Sequence, residues 1–321
     1  MADDLVPCLR GGLEEHMSEC CINKQEHMFN LVVMDPLTRK YPVEQEQKKR
    51  FLKAWIAFIE DKNAEVYEEL LWEYMQLLTV PSQDRYHRCY ELGDYGVAPL
   101  RMAKQRYEDL GLVMWDAAFL LCEFIIANPH CFANRTCLEL GAGVGLTGVA
   151  LARTRPLQLV MTDYSSKTLE NLHYNIGLND IAVSPFKGLA KRNAHWEEPN
   201  AQVGASVHIE ELEWSKAAAD PSTAKAFKAD VIVASDVVYS KKAIDSVVPL
   251  LERLLNPADG YKAPIAYVSL TVRDRGKQSY FERKLTGAGI TFTDITESST
   301  FTRLFDYDRK PLHLFLLRSG G

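Results

Sequence analysis

Four glycines, at positions 141, 143, 145 and 148, follow a short apolar run in TCLELGAGVGLTG, residues 136–148. A glycine-rich turn from a strand into a helix lets backbone N–H groups approach a nucleotide or nucleoside closely. GVGLTG, residues 143–148, is a literal G-x-G-x-x-G, so a dinucleotide site is the first interpretation. However, Gly141 already opens the turn, earlier than the dinucleotide fingerprint requires. A dinucleotide, another nucleoside or a tight turn without a ligand all remain possible interpretations.

Two carboxylates flank this turn and favour a positively charged nucleoside. Glu139 precedes the first glycine, where it would repel a pyrophosphate but attract an ammonium group. Asp163 comes 20 residues after Gly143 and could accept the two ribose hydroxyls, although it could also cap the next helix, as Ser165 could. S-adenosylmethionine has an ammonium, a sulfonium and a ribose but no phosphate. Because an acid at the position of Asp163 serves either ligand, Glu139 is the residue that favours S-adenosylmethionine over a dinucleotide.

Strands and helices that alternate from about residue 110 must position these residues. The pattern predicts right-handed βαβ units, and hence a Rossmann-like α/β fold with a mostly parallel sheet. The last two strands have no long helix between them, so we expect a C-terminal antiparallel hairpin. A polar insertion is expected at 184–204. The predicted strands, seven in all, are residues 136–140, 157–163, 207–212, 230–236, 264–271, 290–296 and 312–318.

The first 100 residues have a different pattern. Apolar residues recur at helical spacing between about 10 and 80, most clearly in 51–78, with a break at Asp61–Asn63. Pro81 ends the helical region, and 85–96 predicts a short strand or hairpin. We therefore expect a helical N-terminal extension over 1–105 and a catalytic domain over 106–321.

The overall composition limits the function. The 321 residues carry a net charge of −6, which argues against a general nucleic-acid binder. The seven cysteines are odd in number and lack C-x-x-C spacing, as expected of reduced thiols. No signal peptide or run of about 18 apolar residues is evident. We expect a cytoplasmic monomer without a membrane partner or a direct nucleic-acid partner.

Four motifs in a fixed order add a family resemblance. They are WDA at 115–117, ELGAGVG at 139–145, LEWS at 212–215 and SDVVY at 235–239. Together they resemble the seven-β-strand S-adenosylmethionine-dependent methyltransferases that methylate lysines of non-histone proteins and carry a D-x-x-Y motif. The resemblance covers residues 107–318. Within this group, residues 111–148 and 266–275 and the N-terminal extension look most similar to the elongation factor 2 lysine methyltransferases.

The resemblance implies a role for each matching residue. Asp236 and Tyr239 would face the methyl-transfer channel and act in catalysis, although a helix cap and a surface aromatic are the structural alternatives. Trp115 and Trp214 could instead be core aromatics. Glu213 and Trp214 would line the adenine. The cofactor-binding residues implied by the resemblance are Trp115, Glu139, Gly141, Gly143, Gly145, Asp163, Glu213, Trp214 and Ser235.

Three other functions remain as alternatives. An NAD-dependent oxidoreductase would need a pyrophosphate beside Glu139. A methyltransferase that modifies exocyclic amines of nucleic acid typically has an N-P-P-Y-like turn, where this chain has SDVVY. A non-enzymatic interaction protein could keep the cofactor fold as a scaffold.

The helical extension is predicted to select a folded protein substrate, most specifically elongation factor 2. It carries large aromatics, some of which we expect outside its own core as anchors: Trp55, Phe58, Tyr67, Trp72 and Tyr74. The alternative is that the extension only covers one side of the sheet.

Overall fold

The computed structural model describes residues 21–104, 107–184, 206–220, 222, 226–256 and 262–320, with the side chains of 107–109 excepted. These residues divide into two compact units. The first unit contains 21–89 and 101–104, and the second contains 90–100 and 107–320. The predicted insertion at 184–204 lies, apart from Ser184, outside the described residues.

Four helices form most of the first unit, as the sequence predicts. They are α1 (Ile22–Val32), α2 (Pro36–Lys40), α3 (Gln45–Asp61) and α4 (Glu68–Thr79). Trp55 and Phe58 of α3 are buried in the core between the helices, together with Phe29 and Leu70. The helical pattern breaks after Asp61, where Asn63 takes a positive φ of 51°. The predicted break is therefore confirmed.

Two short strands, β1 (Arg85–Glu91) and β2 (Val97–Ala103), form a two-stranded sheet. A 3-10 turn over Gly93–Tyr95 lies between them. This sheet corresponds to the strand or hairpin predicted at 85–96, and it extends further along the chain than the pattern indicated.

A seven-stranded sheet forms the centre of the second unit, in the order β5-β4-β3-β6-β7-β9-β8. Strands β3 to β7 pair in parallel, whereas β9 pairs antiparallel with both β7 and β8. The predicted fold class, including the C-terminal hairpin, is therefore confirmed. The strands are β3 (Thr136–Leu140), β4 (Gln158–Asp163), β5 (Ser206–Glu211), β6 (Val231–Ser235), β7 (Ile265–Thr271), β8 (Ile290–Asp294) and β9 (Leu312–Ser319).

The order of the strands across the sheet determines where a ligand can bind. Strands β4 and β6 lie on opposite sides of β3, so the strand order reverses beside β3. In open parallel sheets, ligands bind at such a switch point, outside the carboxyl ends of the strands. The second unit also contains the helices α5 (Asp116–Ala127), α6 (Leu146–Arg153), α7 (Ser166–Leu178), α8 (Trp214–Ala219), α9 (Lys241–Leu255) and α10 (Arg275–Gly287).

A buried carboxylate of α5 holds the loop that connects β8 to β9. Glu123 is fully buried and accepts hydrogen bonds from the backbone N–H groups of Leu304 (2.7 Å) and Phe305 (3.0 Å). The Tyr307 hydroxyl donates to the same carboxylate over 2.6 Å, and Arg309 forms an ion pair with it. Such a paired and hydrogen-bonded buried charge can hold one arrangement of the loop. Nothing in the sequence pattern indicated this contact.

The described residues also show the state of the cysteines and the character of the helices. The cysteines in the described ranges are free: Cys21, Cys89, Cys122, Cys131 and Cys137. Burial raises the pKa of the Cys137 thiol to about 12, so this thiol is unreactive at neutral pH. Among the helices of the described ranges, none is both long and apolar enough to cross a membrane.

Candidate functional site

The glycine turn after β3 has a backbone that requires glycine. Gly141, Gly143 and Gly145 take positive φ angles of 72°, 54° and 94°, which side chains disfavour. A Cβ on Gly145 would lie 2.6 Å from Leu172 Cδ1, and Leu172 is buried. Gly145 directly precedes α6, so the turn ends at a helix N-terminus. Asn175 of α7 donates its side-chain N–H to the Val144 carbonyl over 2.8 Å and holds the turn in place.

Asp163, the last residue of β4, faces this turn. Its Oδ2 accepts the Gly143 N–H over 3.2 Å, and its Oδ1 accepts the N–H groups of Tyr164 (2.8 Å) and Ser165 (3.2 Å). Burial raises the pKa of Asp163 against the lowering effect of these bonds. Ser165, not Asp163, caps α7, because its hydroxyl accepts the Thr168 N–H. A carboxylate has about four acceptor positions, so Asp163 can still accept a ligand hydroxyl.

Glu139 lies beneath the same turn, near the end of β3. It is 2% exposed, and among the described residues its Oε2 has no hydrogen-bond partner. A Cβ on Gly148 would approach that oxygen to 2.8 Å, so α6 covers the carboxyl group. Burial, and secondly the charge of Asp163, raise the pKa of Glu139 to about 8. A buried acid with a free oxygen beside a glycine cradle fits a cationic nucleoside such as S-adenosylmethionine.

Trp214 and Glu213 lie after β5. The sequence placed them at the strand end, but β5 ends at Glu211, and Glu213 is the residue before α8. The strand predicted over 207–212 therefore ends one residue earlier than expected, and the short helix α8 begins at Trp214. The Trp214 ring still lies against the glycine turn, since a Cβ on Gly141 would be 3.3 Å from Trp214 Cζ2. Glu213 accepts the Ser215 hydroxyl over 2.9 Å and pairs with Lys216.

Asp236 and Tyr239 lie in the turn between β6 and α9, next to Ser235, the last residue of β6. Asp236 takes a positive φ of 53°, uncommon for a residue other than glycine. Ser240, not Asp236, caps α9, because its hydroxyl accepts the Ala243 N–H over 3.1 Å. Tyr239 is 50% exposed. Burial, and secondly the charges of Tyr164 and Asp163, raise the Tyr239 pKa above its usual 10.

Arg273 joins the ends of β6 and β7, a role that sequence reasoning missed. Its Nη2 donates to Asp236 Oδ2 over 2.8 Å, while the Thr271 N–H donates to Asp236 Oδ1 over 3.3 Å. Its guanidinium carbon lies 5.1 Å from the centre of the Trp115 ring. The only available signal was its position in AYVSLTVRDR, two residues after β7.

Trp115 directly precedes α5 and is partly exposed, so it is not one of the buried core aromatics. Its indole N–H donates to the Leu110 carbonyl over 3.1 Å. The structure thus brings Trp115, Asp236 and Arg273 together on one side of the site and the glycine turn, Glu139, Asp163 and Trp214 on the other. The charge of Asp163 on the second side contributes to the raised pKa of Tyr239, after burial and the charge of Tyr164.

Comparisons with known proteins identify the family of the chain. The family described as lysine methyltransferase matches residues 97–201 and 184–286. Human protein-lysine N-methyltransferase EEF2KMT is 33% identical over 284 residues, which cover 88% of this chain and 82% of the human protein. The Bos taurus protein of the same name is also 33% identical, over 82% of this chain and 77% of that protein.

A solved 16S rRNA methyltransferase of T. thermophilus, in complex with AdoMet and guanosine, is more distant: 13% identical, with a TM-score of 0.44, over 75% of this chain and 52% of that chain. The family match covers more than half of the chain, and the mammalian relatives match along most of their own lengths. The chain therefore belongs to the lysine methyltransferase family and is an S-adenosylmethionine-dependent enzyme.

Proposed function

We propose that this enzyme methylates a lysine side chain of translation elongation factor 2. The two mammalian relatives carry the name protein-lysine N-methyltransferase EEF2KMT, which designates elongation factor 2 as their substrate. The observation that carries the proposal is the convergence of Asp236, Tyr239 and Asp163 at one edge of the sheet, where a lysine could meet the cofactor.

The residues of the glycine turn and the strand ends would hold the cofactor. Asp163 accepts the ribose hydroxyls, and Glu139 attracts the positive charge of the methionine part, directly or through water. Trp214 provides a flat apolar wall for the adenine, and Glu213 a polar contact at its edge. When bound, S-adenosylmethionine supplies an activated methyl group, so the chain needs no covalent nucleophile of its own. Trp115, Ser235 and the glycines Gly141, Gly143 and Gly145 complete this set.

Asp236 and Tyr239 would orient the amine of the incoming lysine. The amine must be neutral to attack, and its ordinary pKa is about 10.4, so the site has to favour deprotonation. Tyr239 remains protonated at neutral pH because its pKa is raised. Its hydroxyl oxygen can therefore accept an amine N–H, but Tyr239 does not act as a strong base. Asp236 provides the second acceptor, and alignment of the lone pair accounts for most of the required rate enhancement.

The helical extension would select the protein substrate. Of the five large aromatics, some of which were expected to be anchors, Trp55 and Phe58 are buried, and Tyr67 and Tyr74 pack against the same core. Trp72 is 65% exposed, and it lies on α4 beside other exposed apolar side chains: Leu71, Met75 and Leu78. Their spacing places these four residues along one stripe of the helix. An exposed stripe that includes tryptophan is suited to contact a protein partner.

The direct test of the activity uses purified elongation factor 2 and tritiated S-adenosylmethionine. We expect label on a single lysine, identified by mass spectrometry, and an initial rate of labelling about a hundredfold lower with Asp236→Ala. Labelling of other proteins but not of elongation factor 2 in a methylation-deficient extract would disprove the substrate assignment.

The role of the exposed stripe is tested separately in the full-length chain. Replacing Trp72 and Met75 together by serine should raise KM for elongation factor 2 about tenfold or more, while kcat stays nearly unchanged. Leu157→Ser is a matched control, because Leu157 is a 67% exposed apolar residue of the second unit. Equal KM values for the two variants would show that the stripe does not bind the substrate.

We also propose that the enzyme acts as a cytoplasmic monomer and does not bind nucleic acid directly. The free cysteines of the described ranges are in keeping with a reducing compartment. Light scattering of the purified protein tests the oligomeric state, and fractionation of cells tests the location.

A further inference from the structure

The ion pair between Asp236 and Arg273 places a positive charge where the substrate lysine is expected. We define the arginine cluster as Trp115, Asp116, Asp236 and Arg273. The Asp236 side chain is 9% exposed and that of Arg273 is 45% exposed. The guanidinium contacts both Asp236 oxygens, at 2.8 Å from Oδ2 and 3.5 Å from Oδ1. Asp236 is therefore not an isolated negative charge in this protein.

Retention of Asp236 in its turn does not depend on Arg273. The Asp236 backbone N–H donates to the Ser269 carbonyl over 2.9 Å, and the Thr271 N–H donates to the carboxylate. The Arg273 side chain is 45% exposed although that of Asp236 is 9% exposed, so solvent screens the ion pair from the arginine side and reduces its contribution to stability. The contribution of Arg273 must therefore be sought in the charge that it brings to the site.

That charge decides which form of a lysine the site prefers. A bare carboxylate stabilises an ammonium at contact distance and so opposes its deprotonation. A carboxylate paired with a guanidinium attracts an ammonium far less, because the guanidinium repels it. The paired carboxylate can nevertheless accept a hydrogen bond from a neutral amine.

We propose that Arg273 is a positioning residue that compensates the charge of Asp236, so that the site takes up the neutral amine of the substrate lysine rather than its ammonium. The inference rests on the proposed function, since it requires a lysine at Asp236.

The reaction balances in charge and electrons. The lysine gives up one proton to solvent as it enters, and the amine nitrogen then forms the new N–CH3 bond with its lone pair. The S–CH3 bond breaks and its electron pair stays on sulfur, so the positive charge passes from sulfur to the methylated nitrogen. Asp236 and Tyr239 accept the remaining N–H groups throughout.

Other titratable groups surround the arginine cluster, and they can also respond when Arg273 is replaced. Asp116 lies at the start of α5, Asp308 in the connection before β9, and Tyr239 in the turn after β6. Lys277 of α10 lines a cavity that also contains Tyr239 and Arg273. Burial raises the pKa of Asp116, Arg273 opposes this, and the charges of Asp236 and Asp308 add to it. Loss of Arg273 therefore acts on Asp116 as well as on Asp236.

The test measures single-turnover methylation of elongation factor 2 between pH 6.5 and 9.5 at saturating substrate. In Arg273→Gln we expect the rising part of the pH–rate profile to move upward by about one unit. The rate at pH 7 then falls about tenfold, while the rate at high pH stays within about threefold of the unchanged enzyme. Arg273→Lys keeps the positive charge and should return the profile toward its original position.

Two controls isolate the charge effect. Arg275→Gln removes the same charge from an exposed arginine two residues away, at the start of α10, and should leave the profile in place. Arg273→Gln in an Asp116→Asn background should show the same shift as Arg273→Gln alone. Loss of the shift in that background would assign it to Asp116 and overturn the proposal.

The remaining outcomes are equally decisive. A loss of rate by the same factor at every pH would make Arg273 a structural residue only. A higher KM for elongation factor 2 with an unmoved profile would make Arg273 a binding group for an acidic part of the substrate. If the unchanged enzyme labels no lysine of elongation factor 2, the proposed function itself fails, before any variant is compared.

Discussion

The turn after β3 and the turn after β6 leave the same edge of the sheet, but different atoms shape them. Backbone geometry forms the first turn: positive φ at three glycines, and three N–H groups directed at Asp163. Side-chain contacts distinguish the second turn, where Arg273 pairs with Asp236 and lies over the Trp115 ring. The proposed cofactor side of the site thus has buried acids, Glu139 and Asp163, whereas Tyr239 and Arg273 on the proposed substrate side are about half exposed.

This difference matches what each side has to recognise. A cofactor that is the same in every turnover can be bound by a fixed backbone cradle. A lysine must enter, lose a proton, be methylated and leave, so its side of the site requires groups whose charges can be balanced. Substitutions on the two sides should therefore fail in different ways.

The largest effect is expected at the glycine turn after β3. Gly145→Ala introduces a Cβ at a φ of 94°, 2.6 Å from a buried leucine. Strain and overpacking should together cost about 2–4 kcal/mol and abolish cofactor binding. Thermal unfolding and calorimetry measure both effects.

Gly177→Ala provides the matched control, because nothing lies within 4 Å of a Cβ at this helical glycine. It should leave stability unchanged or increase it by up to about 1 kcal/mol. A mild Gly145→Ala phenotype would show that the cradle is more adaptable than its backbone angles imply.

On the substrate side, turnover should be lost while cofactor binding is kept. Asp236→Ala and Tyr239→Phe each remove an acceptor or hydroxyl for the amine, and we expect kcat to fall about a hundredfold. The Kd for S-adenosylmethionine should change less than about threefold. Tyr174→Phe removes a hydroxyl from a partly exposed tyrosine of α7 and serves as the control. Parallel losses of affinity and rate would place Asp236 and Tyr239 in the cofactor pocket instead.

On the proposed cofactor side, substitutions should weaken the binding of S-adenosylmethionine. Asp163→Ala removes charge-assisted bonds to the ribose, worth about 1.5–3 kcal/mol, or roughly ten- to hundredfold in affinity. Ser165→Ala is its control: it removes the α7 cap but keeps the backbone N–H that Asp163 accepts. Unchanged affinity in Asp163→Ala, measured by calorimetry, would contradict the assignment of this side to the cofactor.

The smallest effect is a pH dependence that comes from Glu139. Its folded-state pKa of about 8 is raised above the ordinary value of 4.5, so its protonated form favours folding. This contribution is complete below pH 4.5 and is lost as the pH rises through 8. The ligand-free protein should thus show a Tm that falls between about pH 5 and 8 and levels off at higher pH, and Glu139→Gln should reduce that slope.

A positive ligand should reverse this preference. If the bound cofactor holds Glu139 ionised, binding releases a proton. The Kd should then fall by up to about tenfold for each unit by which the pH is raised, until the pH reaches about 8. Calorimetry in buffers of different ionisation enthalpy detects the released proton. The same pH dependence in Glu139→Gln would exclude this carboxyl group as its source.

Much of the fold could be predicted because it follows from local patterns. Each strand of the seven-stranded sheet was expected within a few residues of its observed position, since short apolar runs between amphipathic segments identify βαβ units. The strand predicted over 207–212 ends one residue earlier, at Glu211. Trp214 is apolar enough to continue a strand, but the chain instead turns into α8 at that residue.

The candidate site could be predicted only in part. The positions of Glu139, the glycines and Asp163 could be predicted because each follows from the type of turn and from the end of a strand, whereas their roles toward the cofactor stay predictions. Arg273 and Glu123 were missed, since their partners are 37 and 186 residues distant along the chain. A sequence pattern reports periodicity and local turns, but not which long side chains meet.

The sequence alone therefore determined the parallel sheet, the glycine turn and the acids at the strand ends, because short-range steric and hydrophobic effects produce them. Only the tertiary structure decided that Arg273 pairs with Asp236 over Trp115, that Glu139 keeps a free buried oxygen, and that Trp72 is exposed while Trp55 is not. Charge pairing and burial depend on which surfaces meet when the chain folds. Those contacts join residues that are distant along the chain.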